Sequence, residues 1–167
     1  LKLFNMNEIF IKHNISPVYD ENSKILILGS FPSVISRSNE FFYDNPNNRF
    51  WKVLSALYNT EIISHEDKKN FLLKNNIALW DVVNSCVINK SSDSSIKQAT
   101  PCDINAILNT AKIQKIFING KTAEKYFKKF FHGYEYILLP STSSANAKFS
   151  LEKLIEVWKV IKQVDKK

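Results

Sequence analysis

An α/β fold is expected here, a three-layer α/β/α sandwich around a central, mostly parallel four-stranded sheet. Three features predict it. Four short apolar runs are continuous rather than alternating, helical patterns stand between them, and the 167 residues amount to one domain with one well-buried core.

The strand candidates are Lys24–Ser30, Ile77–Val83, Lys115–Asn119 and Tyr134–Pro140. Continuous apolarity is what a strand covered on both faces requires. The first helix is expected after Asn48, where Phe50, Val53, Leu54 and Leu57 recur at i, i+3, i+4 and i+7. A second runs over His65–Asn76 behind a polar start suited to capping it. A third spans Asp103–Lys112, with Asp103 as its N-cap just after Pro101. Lys121–Phe131 follows, carrying Ala123, Tyr126, Phe127 and Phe130. The last helix shows Leu151, Leu154, Ile155, Trp158 and Ile161 as one apolar stripe. Between strands, Asn84–Thr100 is rich in Ser, Asn and Asp and reads as a long surface loop with one helical turn around Asp93–Ala99. No repeat or linker divides the chain, so residues 1–167 form a single domain with residues 1–15 peripheral.

Composition narrows the function classes. Hydrophobic residues make up 44% and charged ones 23%, as in ordinary globular chains, which argues against wholesale disorder. No apolar run approaches the roughly 20 residues of a membrane span. The N-terminal Leu1–Met6 is too short and mixed for a signal peptide, and Met6 is one candidate start, with the first five residues then an extension. A cytoplasmic protein with no membrane partner follows, and nothing in the chain asks for more than a monomer. Cys86 and Cys102 are too few for a four-thiolate site, and His13, His65 and His132 lack helical ligand spacing. No metal and no cofactor are therefore expected. Trp80 and Trp158 are assigned to the core, and Cys86 to a small buried or loop position.

The net charge is +7 and almost all lysine, since arginine occurs only at Arg37 and Arg49. Such a balance suits a polyanionic partner such as nucleic acid. On charge alone, lysine-rich codon usage plus a basic tail (Lys159, Lys162, Lys166, Lys167) explains it better.

In a parallel sheet, ligands sit beyond the carboxyl ends of the strands. That rule selects Gly29–Ser33, Asp81–Ser85, Asn119–Lys121 and Ser141–Asn146, and small, polar or basic residues cluster at each. Common catalytic templates are missing: there is no glycine-rich phosphate loop, no serine elbow and no close carboxylate pair. What remains suits a flat heterocycle better than acid–base work. The segment Phe41–Trp51 adds aromatics, carboxamides and Arg49. Its aromatics can stack on bases and its asparagines can address a base edge or a water. Packing under the first helix, with Asn48 as its N-cap, accounts for the same residues.

Three blocks, taken together, resemble the hypoxanthine-DNA (deoxyinosine) glycosylases of the uracil-DNA glycosylase superfamily. They are Pro17–Asp20 running into Ile25–Ser33, then Tyr43–Trp51, then Leu139–Ala147. Ile77–Val82 and Asn119–Ala123 fit between them, and the likeness covers roughly residues 16 to 160 in order. Asn48–Lys52 is also similar to the mismatch-specific uracil-DNA glycosylases. Ser144 departs from a proline common among relatives, and Asn45 from a histidine. Ser30 and Phe31 stand where the superfamily usually carries a catalytic Asp or Asn, a departure typical of the deoxyinosine enzymes.

The resemblance implies a monofunctional glycosylase of base-excision repair, acting on a damaged duplex with the target base flipped out. Asn48 matches the catalytic asparagine. Gly29, Ser30, Phe31, Pro32, Tyr43 and Asp81 are the expected base-binding residues, with Phe31 stacking on the base. Arg49, Lys121, Ser141, Thr142, Ser143 and Asn146 are the expected DNA contacts. No Schiff-base lysine is assigned, so strand cleavage is not expected. Three other readings stay open: a uracil-directed enzyme of the same fold, a non-catalytic damage-binding module, and an enzyme of free nucleosides.

Overall fold

A computed structural model of the chain describes residues 7–165. The candidate start at Met6 and the tail lysines Lys166 and Lys167 lie outside the described residues. The elements run β1 (Glu8–Lys12), β2 (Ile25–Gly29), α1 (Val34–Asn39), α2 (Phe50–Tyr58), α3 (His65–Lys74), β3 (Ile77–Asp81) and β4 (Val83–Asn89). A 3-10 turn (Asp93–Ser95) then leads to β5 (Lys97–Pro101), α4 (Asn105–Thr110), β6 (Lys115–Asn119), α5 (Lys121–Phe130), β7 (Ile137–Leu139) and α6 (Leu151–Trp158).

The central sheet has four parallel strands in the order β3-β2-β6-β7. Strands β2, β3 and β6 are continuous in apolarity because both their faces are covered, while Leu138 of the edge strand β7 is exposed. Ile25 and Ile27 of β2 face a core built with Phe50, Leu54, Leu72 and Trp158 from α2, α3 and α6. Leu26 and Leu28 face the opposite core, built with Ile107, Ala123, Tyr126 and Phe127 from α4 and α5. Successive side chains of a strand point to opposite faces, so one tetrapeptide serves two layers. The three-layer α/β architecture is therefore present. From β2 the chain passes to β3 on one side and later to β6 on the other, which makes the carboxyl end of β2 a switch point. No helix among the described residues is long and apolar enough to cross a membrane.

Several local expectations are corrected. The expected loop over Asn84–Thr100 is largely sheet: β4 and β5 form an antiparallel pair, and β1 adds to β4 from Glu8↔Asn89 to Lys12↔Ser85. The run over Ile77–Val83 breaks at Val82, with β3 ending at Asp81 and β4 starting at Val83. The N-terminal segment is not peripheral where it meets this sheet, since the His13 side chain is only 2% exposed. Helix α4 begins at Asn105 with Ile104 at the cap and no side-chain bond, so Asp103 does not cap it. Helix α3 carries a capping box between Ser64 and Asp67, which satisfies two backbone donors reciprocally. Trp158 is fully buried, Trp80 is half-buried, and both cysteines are buried and free.

Candidate active site

The carboxyl ends of β2, β3, β6 and β7 open into one cleft of about 1080 Å³. All four strand-end segments selected from the sequence contribute to it. Their convergence follows from parallel pairing, which sets Gly29 beside Asp81 and Asn119 beside Leu139.

Gly29 forms the floor. A side chain there has no room: a Cβ would sit 2.5 Å from Asp81 Oδ1 and 2.6 Å from the Tyr43 hydroxyl. Asp81 is 4% exposed, and its Oδ2 accepts from His13 Nε2 at 2.7 Å. His13 Nδ1 in turn accepts the Ile15 N–H at 3.1 Å, which fixes the proton on Nε2. Gly29→Ala is thus expected to cost about 1–3 kcal/mol through overpacking and to slow turnover by displacing Asp81 and Tyr43. Chemical denaturation alongside an activity assay checks both effects.

Tyr43 sits at a backbone φ of 52°, a conformation uncommon for a bulky residue. Two contacts hold it there. Its ring stacks on Phe50 with centroids 4.0 Å apart, and its hydroxyl accepts from Asn119 Nδ2 at 3.0 Å. Surrounding protein, reinforced by the Asp81 charge, raises the phenol well above its ordinary range, so Tyr43 stays a neutral hydroxyl.

Asn48 lines the cleft at the end of the aromatic loop. Its Oδ1 accepts the Phe50 N–H at 2.9 Å, one of the donors that the start of α2 leaves unpaired. An N–H demands an oxygen, so this bond decides which end of the carboxamide faces the helix and leaves Nδ2 as the other end. The loop itself is anchored at Asp44. Burial alone would raise that carboxyl, but hydrogen bonds from Asn39, His65 and Lys68 and the Lys68 charge hold it below its ordinary value.

Residues 16–162 match the family model of the uracil DNA glycosylase superfamily. The chain belongs to that superfamily. A protein of Methanosarcina acetivorans named hypoxanthine DNA glycosylase is 36% identical over 155 residues, covering 90% of this chain and 98% of its own. A protein of the same name from Methanosarcina barkeri is 31% identical over 151 residues, covering 88% and 95%. A solution NMR structure from Methanosarcina acetivorans, described as a candidate uracil DNA glycosylase, superposes with a TM-score of 0.75 at 32% identity. It covers 92% of this chain and 99% of that one.

Within this superfamily member, the expected base-binding residues Gly29, Ser30, Phe31, Pro32, Tyr43 and Asp81 all line the cleft together with Asn48. Phe31 is 8% exposed, with His13 edge-on at 5.9 Å and the Arg37 guanidinium 5.7 Å from its centroid. Only a small part of its ring is open to a ligand. Lys121 is exposed at the start of α5 and also reaches the cleft.

One expected DNA contact, Thr142, is corrected, and Arg49 is found to hold the protein's own loop. Thr142 is fully buried, its N–H donating to Asn119 Oδ1 at 3.1 Å and its hydroxyl accepting from Asn119 Nδ2 at 3.0 Å. It closes the core under the loop and cannot touch a phosphate. Arg49 turns inward, donating to the carbonyls of Thr142 at 3.4 Å, Ser143 at 2.9 Å and Asn146 at 3.2 Å, and to that of Phe149. Four side-chain bonds brace residues 142–149. Ser141, Ser143 and Asn146 stay half-exposed on this loop, each bonded within it: Ser141 Oγ accepts the Ser143 N–H, Ser143 Oγ accepts the Ala145 N–H, and Asn146 Nδ2 donates to the Ser141 carbonyl.

Sequence reasoning missed His13 and Asp93. Both reach the site through the second sheet: Asp93 accepts the Ser30 hydroxyl at 3.0 and 3.1 Å and lines the cleft. Surrounding protein pushes its carboxyl up to about 6, with Ser30 opposing the shift and Asp81 reinforcing it.

Proposed function

We propose that this chain is a monofunctional DNA glycosylase of base-excision repair that hydrolyses the N-glycosidic bond of hypoxanthine in DNA and leaves an abasic site. The observation that carries this reading is the cleft itself. Asn48, whose carboxamide oxygen is taken by Phe50, lines the same cavity as the Gly29–Pro32 turn. The names of the two relatives, similar along nearly their whole length, support hypoxanthine as the base.

In this reading duplex DNA lies across the cleft mouth, with Lys121 and the exposed parts of Ser141, Ser143 and Asn146 at phosphates. The nucleotide rotates out of the stack, which costs least for a poorly paired base. The base enters beside Phe31, where Asp81 and backbone groups of Gly29–Phe31 address its edge. The C1′–N9 bond then stretches and its electron pair moves onto the base. Asn48 Nδ2 donates to the charge that develops there or fixes the attacking water, acting by orientation and electrostatics because an amide cannot take a full proton.

The test is base release from otherwise identical duplexes carrying one deoxyinosine or one deoxyuridine. Hypoxanthine release well above uracil release is the expected result. Preference for uracil, which the solved structural neighbour makes the second reading, would keep the chemistry and change the base. Salt-sensitive binding without release from either duplex would leave a damage-binding module.

A further inference from the structure

Hydrolysis needs a group to take the proton of the attacking water, and few residues of the cleft can do so. No histidine lines it among the described residues, the Tyr43 phenol is held neutral, and Asn48 carries an amide. Two carboxylates line it, Asp81 and Asp93. Asp81 is buried, with Oδ2 committed to His13. Asp93 is a lip residue that is exposed as a whole, while its carboxyl turns onto Ser30 in the cleft wall.

The Asp93 loop is pinned against the turn that follows β2. The Ser30 hydroxyl donates to both Asp93 oxygens, the Val34 N–H donates to Ser91 Oγ at 2.9 Å, and Arg37 bridges the Pro32 and Lys90 carbonyls at 2.8 and 3.1 Å. A carboxylate from a distant part of the chain is thus fixed on the turn that forms the cleft floor.

We propose that Asp93 is the general base of the reaction, accepting the proton of the water that attacks C1′. This rests on the glycosylase reading above. In the step, the water oxygen bonds to C1′, the C1′–N bond breaks with its electron pair leaving on the base, and the water proton passes to the Asp93 carboxylate. The base then takes a proton from solvent, and Asp93 returns its own.

Catalysis by a base is strongest when its proton affinity lies near the working pH. Asp93, pushed up to about 6, meets that condition. Ser30 bonds to it directly, and the Asp81 carboxylate, the Tyr43 and Tyr126 phenols and the Cys86 thiol couple to it electrostatically. The active form is the carboxylate, so the rate is full above that value and falls as pH drops through it.

Single-turnover base release across pH, on whichever of the deoxyinosine and deoxyuridine duplexes the wild type cleaves, tests the assignment. Asp93→Asn is expected to lower the plateau rate about 100-fold or more, to retain duplex affinity and to lose the acid limb. Ser30→Ala removes a donor that holds the carboxyl down, so its acid limb should move to higher pH. That displacement would not follow from a structural role alone, and it remains readable if Asp93→Asn fails to fold. Near-wild-type rates in Asp93→Asn, an acid limb unmoved by Ser30→Ala, or a wild-type rate that rises as pH falls would overturn the proposal. No release by the wild type from either duplex would instead sink the glycosylase reading, and this inference with it.

Discussion

Asn48→Ala is expected to slow base release about 100- to 1,000-fold, the usual loss when one donor aimed at developing charge is removed. The same change also strips the Phe50 N–H of its acceptor, at a cost of about 1 kcal/mol. Lower activity in this variant alone would therefore mix two effects. Asn48→Asp separates them. A carboxylate still accepts from Phe50, and its charge suits a helix N-terminus, so stability should match or exceed the wild type. It lacks the Nδ2 donor. If Asn48 works by donation, the Asp variant is as inactive as the Ala variant while melting like the wild type. If Asn48 instead works by accepting a proton bond from water, the Asp variant keeps its activity, and the donor role assigned here is wrong. Single-turnover rates and thermal melts of the three proteins decide the matter.

What the chain discloses locally and what it hides divide along a physical line. The run Ile25–Leu28 is legible because both its faces are buried, so burial writes itself into consecutive residues. Its neighbours in the parallel sheet share that property, and the strand-end rule then locates the cleft with no knowledge of side-chain contacts. The second sheet has no such signature. Asn84 of β4 is exposed, the pairing with β5 shifts register twice, and Gln98 sits at a φ of 52° inside β5. Its flanking strands β1 and β5 are largely exposed, and the buried β4 between them carries Asn84, Ser85 and Asn89, so the stretch from Asn84 reads as a loop.

The two missed site residues depend on that sheet. His13 meets Asp81 across 68 positions and Asp93 meets Ser30 across 63. No local period encodes contacts at such separations. Thr142 illustrates a different limit. Its hydroxyl in a Ser- and Asn-rich turn suggests a phosphate contact, yet Asn119 supplies partners for both its N–H and its hydroxyl and draws it into the core. A polar residue whose bonds are met internally is no longer surface chemistry.

Arg49 turns the same distinction into a measurement. Its side chain donates to four backbone carbonyls between Thr142 and Phe149, and Arg49→Leu would leave those acceptors without their charged donor. Water reaches part of this half-exposed loop and offsets some of the loss. The expected destabilisation is about 2–4 kcal/mol, or roughly 5–15 °C in Tm. Arg49→Lys should recover little, because one ammonium cannot present a planar fork to several carbonyls. Base release should fall as well, since Asn48 is the preceding residue and the braced loop forms one wall of the cleft. A phosphate-binding Arg49 predicts the opposite pattern: Tm nearly unchanged, uniformly weaker DNA binding, and a salt dependence reduced by about one counterion. Melting curves and duplex affinities at several salt concentrations, on the Leu and Lys variants, tell the two apart. A lower Tm with an unchanged salt slope makes Arg49 the brace of the loop. An unchanged Tm with a shallower slope would return it to the DNA interface.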